Sequence, residues 1–183
     1  MRLLCITGRK GSGKSVVMKV GAAMGIRSIE MHEPVYERMQ EEGIGLTHEN
    51  IIRYAEGLRK GGDFAIVAKM VLAKIAKERM NDGVLIICGV RHPDEVAEFR
   101  KRFASLLVAV DADAKTRFKR ITARSEKWDS RTFADFKRKE ESESAGLGMG
   151  KAVSSADITI RNDGEIGDLE QRARNLLLFI KGG

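Results

Sequence analysis

Cysteine is scarce in this 183-residue chain: Cys5 and Cys88 are the only two, too few for a disulfide framework or a four-cysteine metal site. Both sit in apolar runs, where a free thiol acts as a small hydrophobe, so reduced cysteines are expected. Histidine is nearly as rare, and His32, His48 and His92 have no paired nucleophile, which argues against Ser-His-Asp chemistry. Aromatic residues make up 5% of the chain, and the one Trp and two Tyr are scattered, so an interleaved stacking surface for nucleic acid is not expected. No apolar run approaches the roughly 20 residues of a membrane span. The first apolar stretch stops at Gly8, Arg9 and Lys10, where a leader peptide would continue, so a cytoplasmic protein is expected. What is present is 43% hydrophobic and 32% charged residues, enough apolar mass for one core, and residues 1–183 read as a single domain. The net charge of +7 favours anionic partners, whether nucleic acid, phosphorylated metabolites or an anionic membrane surface.

Short apolar runs alternate with helical patterns. Arg2 to Thr7 reads as a buried strand, and a helix follows from Gly13 with Val17, Val20 and Met24 on one face. Ile26 to Met31 fits a second strand, Pro34 to about Glu42 a helix, and Thr47 caps another that runs to Lys60 and closes at Gly61-Gly62. Phe64 to Ile75 is a further helix, and Asn81-Asp82-Gly83 a turn into the apolar strand Val84 to Cys88. Val96, Phe99 and Phe103 mark a helix, Leu106 to Val110 a strand, and Asp113 to Arg124 a basic helix. Arg131 to Ser144 is polar almost all round and 145–152 is glycine-rich, so a mobile hairpin or lid standing off the core is expected there. Asp157 to Arg161 and Ile166 to Ile180 close the pattern as strand and helix. Strands joined through helices imply right-handed crossovers and a parallel sheet between helical layers, a three-layer α/β/α fold.

Gly8-Arg9-Lys10-Gly11-Ser12-Gly13-Lys14-Ser15 matches the phosphate-loop pattern and lies between an expected strand and an expected helix, the context its mechanism requires. Its glycines let consecutive N–H groups converge on one phosphate, and the helix adds its positive end. Lys14 then faces the β and γ phosphates of a nucleoside triphosphate, and the Ser15 hydroxyl is a ligand for Mg²⁺. In doubly wound sheets the ligand lies beyond the carboxyl ends of the strands, here Glu30 to Glu33, Cys88 to Arg91, Asp111 and Arg161 to Gly164. The chain lacks an Asn-Lys-x-Asp stretch for reading guanine, which favours a small-molecule kinase over a switch GTPase.

Several stretches carry a more particular likeness: Leu58-Arg59 with Ala65 to Lys69, Gly89-Val90-Arg91 before Asp94-Glu95-Val96, Arg117-Phe118-Lys119-Arg120 with Arg124, and Ala156-Asp157 followed by Asn162-Asp163-Gly164. With the phosphate loop, they make nearly the whole chain resemble the P-loop kinases of the adenylate kinase and dephospho-coenzyme A kinase group, especially a set of small archaeal proteins described as adenylate-kinase-related. The resemblance implies a P-loop NTPase fold with a five-stranded parallel sheet, an acceptor-side helical region over about 32–80, and a basic lid over about 120–152. It also implies ATP and Mg²⁺ as cofactors, with a nucleotide donor and a small nucleotide-like acceptor as partners.

Arg120 and Arg124 stand four apart on one helical face, from which both can reach a phosphate; a solvated basic face is the alternative. Arg91 directly follows the third strand and can hold an acceptor or donor phosphate, or pair with Asp94 or Glu95. By analogy with the family, Arg38, Arg59 and Lys69 flank the acceptor, with ordinary helix-surface charges as the alternative, and Asn162 and Gly164 approach the adenine, with a simple Asn-Asp-Gly turn as the alternative. The chain also departs from the family. Cys88 stands where relatives place an Asp that holds the magnesium hydration shell, and a thiol is a poor ligand for a hard cation. Met31-His32-Glu33 with Tyr36 replaces a Met-Gly-Asp stretch followed by Arg. Ser125 to Asp129 replaces a more acidic run, and Lys139 an Asp. Glu33, with Glu30 in reserve, is expected to support the metal's waters. These readings point to an ATP-dependent phosphotransferase; the alternative is a nucleotide-binding sensor or regulatory protein with weak or no transfer activity, a reading that Cys88 motivates.

Overall fold

The computed structural model describes residues 1–81, 83–124 and 129–182, with His48 and 142–147 described in backbone only. Asp82 of the expected turn and 125–128 of the expected lid lie outside the described residues. The described elements are β1 (Arg2–Thr7), α1 (Lys14–Ala23), β2 (Arg27–Glu30), α2 (Glu33–Glu41), α3 (His48–Leu58), α4 (Ile66–Lys77), β3 (Val84–Val90), α5 (Pro93–Arg100), β4 (Ala104–Asp111), α6 (Ala114–Arg124), α7 (Phe133–Leu147), α8 (Met149–Ser154), β5 (Ile158–Arg161) and α9 (Ile166–Gly182). The strands form one five-stranded parallel sheet in the order β2-β3-β1-β4-β5.

Central β1 explains the continuous apolar runs. A parallel strand covered on both faces has no polar side, and alternate residues of β1 enter different cores. Leu3 and Cys5 join Ile29, Leu85 and Ile87 beneath α2, α4 and α5. Leu4 and Ile6 join Ile86 and Cys88 beneath α1 and α9. Burial pushes the Cys5 thiol up to about 12, so Cys5 acts there as a hydrophobe. The Thr47 cap is present, its hydroxyl accepting the Asn50 N–H at 3.2 Å.

Two local expectations change. β3 does not stop at Cys88 but continues to Val90, through a register shift in which Ile6 pairs with Cys88 and Thr7 with Val90. Gly89, at φ 92, absorbs the extra residue, and the Thr7 hydroxyl donates to the Val90 carbonyl at 2.8 Å. The segment expected as a hairpin standing off the core is instead the two helices α7 and α8. Phe133 and Phe136 of α7 pack with Phe118 of α6 at ring separations of 5.5 and 5.6 Å, while Met149 and Ala152 of α8 are buried. Few apolar residues suffice to dock these helices because α6 and β1 already offer surfaces to cover. Among the described residues no helix is long and apolar enough to cross a membrane.

Candidate active site

The loop between β1 and α1 lies at the carboxyl edge of the sheet, between β3 and β4. Two of its glycines are obligatory. A Cβ at Gly8, φ 145, would stand 2.2 Å from the Val110 carbonyl oxygen, and one at Gly13, φ 109, would stand 2.4 Å from the Asn162 amide nitrogen. α1 begins on Gly13 with neither a side-chain cap nor an acidic residue in its first turn, so its N–H groups and dipole face outward uncompensated. Among the described residues the buried Ser12 hydroxyl has no hydrogen-bond partner, an unmet polar demand inside the loop. Lys14 curls back over the loop and donates to the carbonyls of Gly8 at 2.7 Å and Arg9 at 3.2 Å.

The rim beside β4 is a network of ion pairs. Lys10 meets Asp129 at 2.7 Å, and Arg124 grips the same carboxylate with two bonds of 3.1 Å. Burial works against ionisation of Asp129, but Arg124 and Lys10 outweigh it and hold the carboxyl down at about 2. Glu140 of α7 pairs with Arg117 and stands 3.7 Å from Arg9. Arg117, almost fully buried, also donates to the Ala112 carbonyl at 2.8 Å and lies 5.3 Å from the Phe136 ring centre. The sequence reading did not single out Arg117 as a site residue; its place in the buried row of α6 with Ile121 was the available signal.

Arg120 and Arg124 do not converge. Arg120 donates to the Asn162 carbonyl at 2.9 Å and the Gly164 carbonyl at 3.2 Å, which fixes the loop after β5. Asn162 in turn donates to the Ser12 carbonyl at 2.7 Å, so Asn162 and Gly164 are joined to the phosphate loop through one buried amide. Arg91 and Arg59 both reach Glu95 of α5, Arg91 through its backbone N–H and Arg59 through its guanidinium. The Glu95 carboxylate is buried and accepts the N–H groups of Arg91 at 2.7 Å and His92 at 3.1 Å, while Arg59 stands 3.9 Å away. Burial raises the Glu95 carboxyl above its ordinary range against the pull of these donors and cations. Burial also lowers Arg59, with Glu95 opposing and Arg91 reinforcing the shift. Lys69 and Arg38 are instead held in exposed pairs, with Asp63 at 2.7 Å and Glu42 at 3.0 Å. The rings of His92 and Phe64 stack at 4.4 Å, and His92 caps α5.

The groups available to a metal are hard oxygens. Among the described residues no cluster of three or more His, Cys, Asp or Glu can hold an ion unaided. Ser15 lies in the first turn of α1, Glu30 ends β2 and Glu33 opens α2; with phosphate oxygens and water, this donor set fits Mg²⁺, which keeps much of its hydration. Glu33 accepts the Glu30 N–H at 2.7 Å. Cys88 does not fit, because burial pushes its thiol up to about 11; Lys14 acts against that shift and Glu30 with it.

No protein-family model matches the chain. The UPF0200 protein of Hyperthermus butylicus is 34% identical over 98% of this chain and 95% of its own length. Shikimate kinase from Bacteroides thetaiotaomicron superposes with a TM-score of 0.61 at 15% identity, covering 97% of this chain and 98% of that one. Dephospho-CoA kinase from Campylobacter jejuni superposes with a TM-score of 0.56 at 14% identity, covering 100% of this chain and 98% of that one. The fold is that of the P-loop small-molecule kinases, and by its sequence the chain belongs to the UPF0200 family.

Proposed function

We propose that this protein is an ATP-dependent phosphotransferase acting on a small, nucleotide-like acceptor, in the manner of the adenylate and dephospho-coenzyme A kinases. The observation that carries this reading is the pairing of two cationic sites at adjacent strand ends: the phosphate loop after β1, and the Arg59–Arg91 pair set on Glu95 after β3. One suits a polyphosphate donor, the other an anionic acceptor.

In this reading the loop amides and Lys14 hold the β and γ phosphates, while Arg91 and Arg59 orient the acceptor in line. An acceptor oxygen attacks the γ-phosphorus as the bond to the bridging oxygen breaks; ADP leaves with the electron pair, and a hydroxyl acceptor releases its proton to water. Mg²⁺ would supply charge neutralisation at the phosphates, where the Ser15 hydroxyl would hold it and Glu33, with Glu30 in reserve, would support its waters. Asn162 and Gly164 border the donor base, and Arg120 positions them. Residues 120–152 serve as the lid, with Arg124, Lys10 and Arg9 exchanging Asp129 and Glu140 for phosphate oxygens on closure.

The test is ADP release from ATP across a panel of nucleotides, dephospho-coenzyme A and related metabolites. Acceptor-stimulated turnover that Arg91→Ala removes supports the reading. The second reading, a nucleotide-binding sensor or regulator, is favoured by Cys88 in the metal-supporting position. Tight ATP binding with no turnover on any acceptor decides for it.

A further inference from the structure

We infer that Glu30, on the strand beside Cys88, supplies the carboxylate that the end of β3 lacks and supports the magnesium ion of a bound nucleotide. The inference rests on the nucleotide-binding part of the reading above.

Parallel pairing sets Glu30 directly opposite Cys88, and partners in a parallel ladder project to the same face of the sheet. That face carries α1, since Cys88 packs with Ile6, Ile86 and Val17. Neighbouring strands lie about 4.8 Å apart, a distance that the extra methylene of Glu over Asp partly spans. The Cys88 thiol lies in the fields of both Lys14 and Glu30, so the ammonium that faces the phosphates and the carboxylate of β2 act on one spot. A thiol held neutral by burial contributes neither charge nor an oxygen there, whereas Glu30 offers both.

The backbone around Glu30 is held for this role. The Met31 N–H donates to the Cys88 carbonyl at 2.8 Å, which extends the ladder past Glu30. The Glu30 N–H donates to Glu33 at 2.7 Å, which makes Glu33 a positioning residue for its neighbour. The Glu30 side chain is 41% exposed, suited to an ion that keeps its waters, and one oxygen lies 3.1 Å from His32 Nδ1. Among the described residues the buried Ser12 hydroxyl of the phosphate loop has no hydrogen-bond partner, a polar demand that a ligand of the loop would meet.

The experiment is calorimetric titration of ATP in excess Mg²⁺ and again in EDTA, with the ratio of the two dissociation constants as the readout. For Glu30→Gln we expect a cut of about tenfold in the magnesium enhancement. Affinity in EDTA should be unchanged or slightly tighter, because a negative charge near the phosphates is gone. Adding Cys88→Asp to that variant should restore the enhancement, and His32→Ala alone should leave it at the wild-type value. A wild-type enhancement in Glu30→Gln overturns the inference while the phosphate-loop reading stands. Equal weakening in Mg²⁺ and in EDTA overturns it too, as the mark of a merely structural role. Absence of ATP binding by the wild type overturns both together.

Discussion

On the flank of the phosphate loop beside β4, Arg9, Lys10, Arg117 and Arg124 all face Asp129 or Glu140, whereas beside β3 the Arg91 side chain has no ion pair among the described residues and Arg59 stands 3.9 Å from one buried carboxylate. Both flanks are cationic, but they meet an incoming anion differently. Beside β4 an anion must displace a carboxylate, so one ion pair replaces another and the net gain is small. Beside β3 it gains Arg91 outright. The first arrangement suits a gate, the second a preformed subsite.

Breaking the cradle that both flanks share gives the largest effect. Lys14→Ala is expected to weaken ATP binding at least a hundredfold, about 2.7 kcal/mol, in calorimetry; a change under tenfold breaks the assignment of the loop as the donor site. Next comes Arg91→Ala, expected to raise the acceptor KM about tenfold while ATP affinity stays constant, since the subsite loses a charge-assisted bond. Equal losses on donor and acceptor would erase the distinction between the flanks.

Asp129→Asn sharpens the comparison from the other side. Freed of their carboxylate, Lys10 and Arg124 should bind ATP a few-fold more tightly. The same variant has a signature in acid. With its native pKa at about 2, below the ordinary value of 3.8, Asp129 stabilises the fold above that ordinary value, and the contribution is lost as pH falls toward 2. Denaturant midpoints measured from pH 5 to about 2 should therefore fall less steeply in Asp129→Asn than in the wild type. The smallest effects belong to Arg38→Ala and Lys69→Ala, whose exposed pairs with Glu42 and Asp63 lie apart from the Arg59–Arg91 cluster. Acceptor KM and ATP affinity should stay within about twofold of the wild type. A tenfold rise in acceptor KM for either would extend the acceptor flank to the surface of α2 or α4.

How much was legible depended on how local each feature is. Strand, glycine loop and helix over Arg2 to Ala23 could be read in one pass, as could the Thr47 cap, because spacing alone specifies them. α7 was misread because its first turns offer only Phe133 and Phe136 in a polar stretch, and these count as core only once Phe118 lies opposite. Arg117 and Glu140 are 23 positions apart, and neither announces its partner. Arg120 and Arg124 share a helical face, yet one guanidinium turns to Asn162 and Gly164 and the other to Asp129. Spacing placed their stems on one face but left their heads unspecified.

By itself the sequence determined the bend of backbone between β1 and α1, since glycines, a lysine and a serine at fixed offsets dictate it whatever surrounds it. Only the tertiary structure decided which cations already have a carboxylate to hold, and that Glu30 falls beside Cys88 although 58 positions separate them. The physical reason is range: backbone conformation follows from near neighbours, while the strength of a charge depends on burial and on partners that only the folded sheet brings within reach.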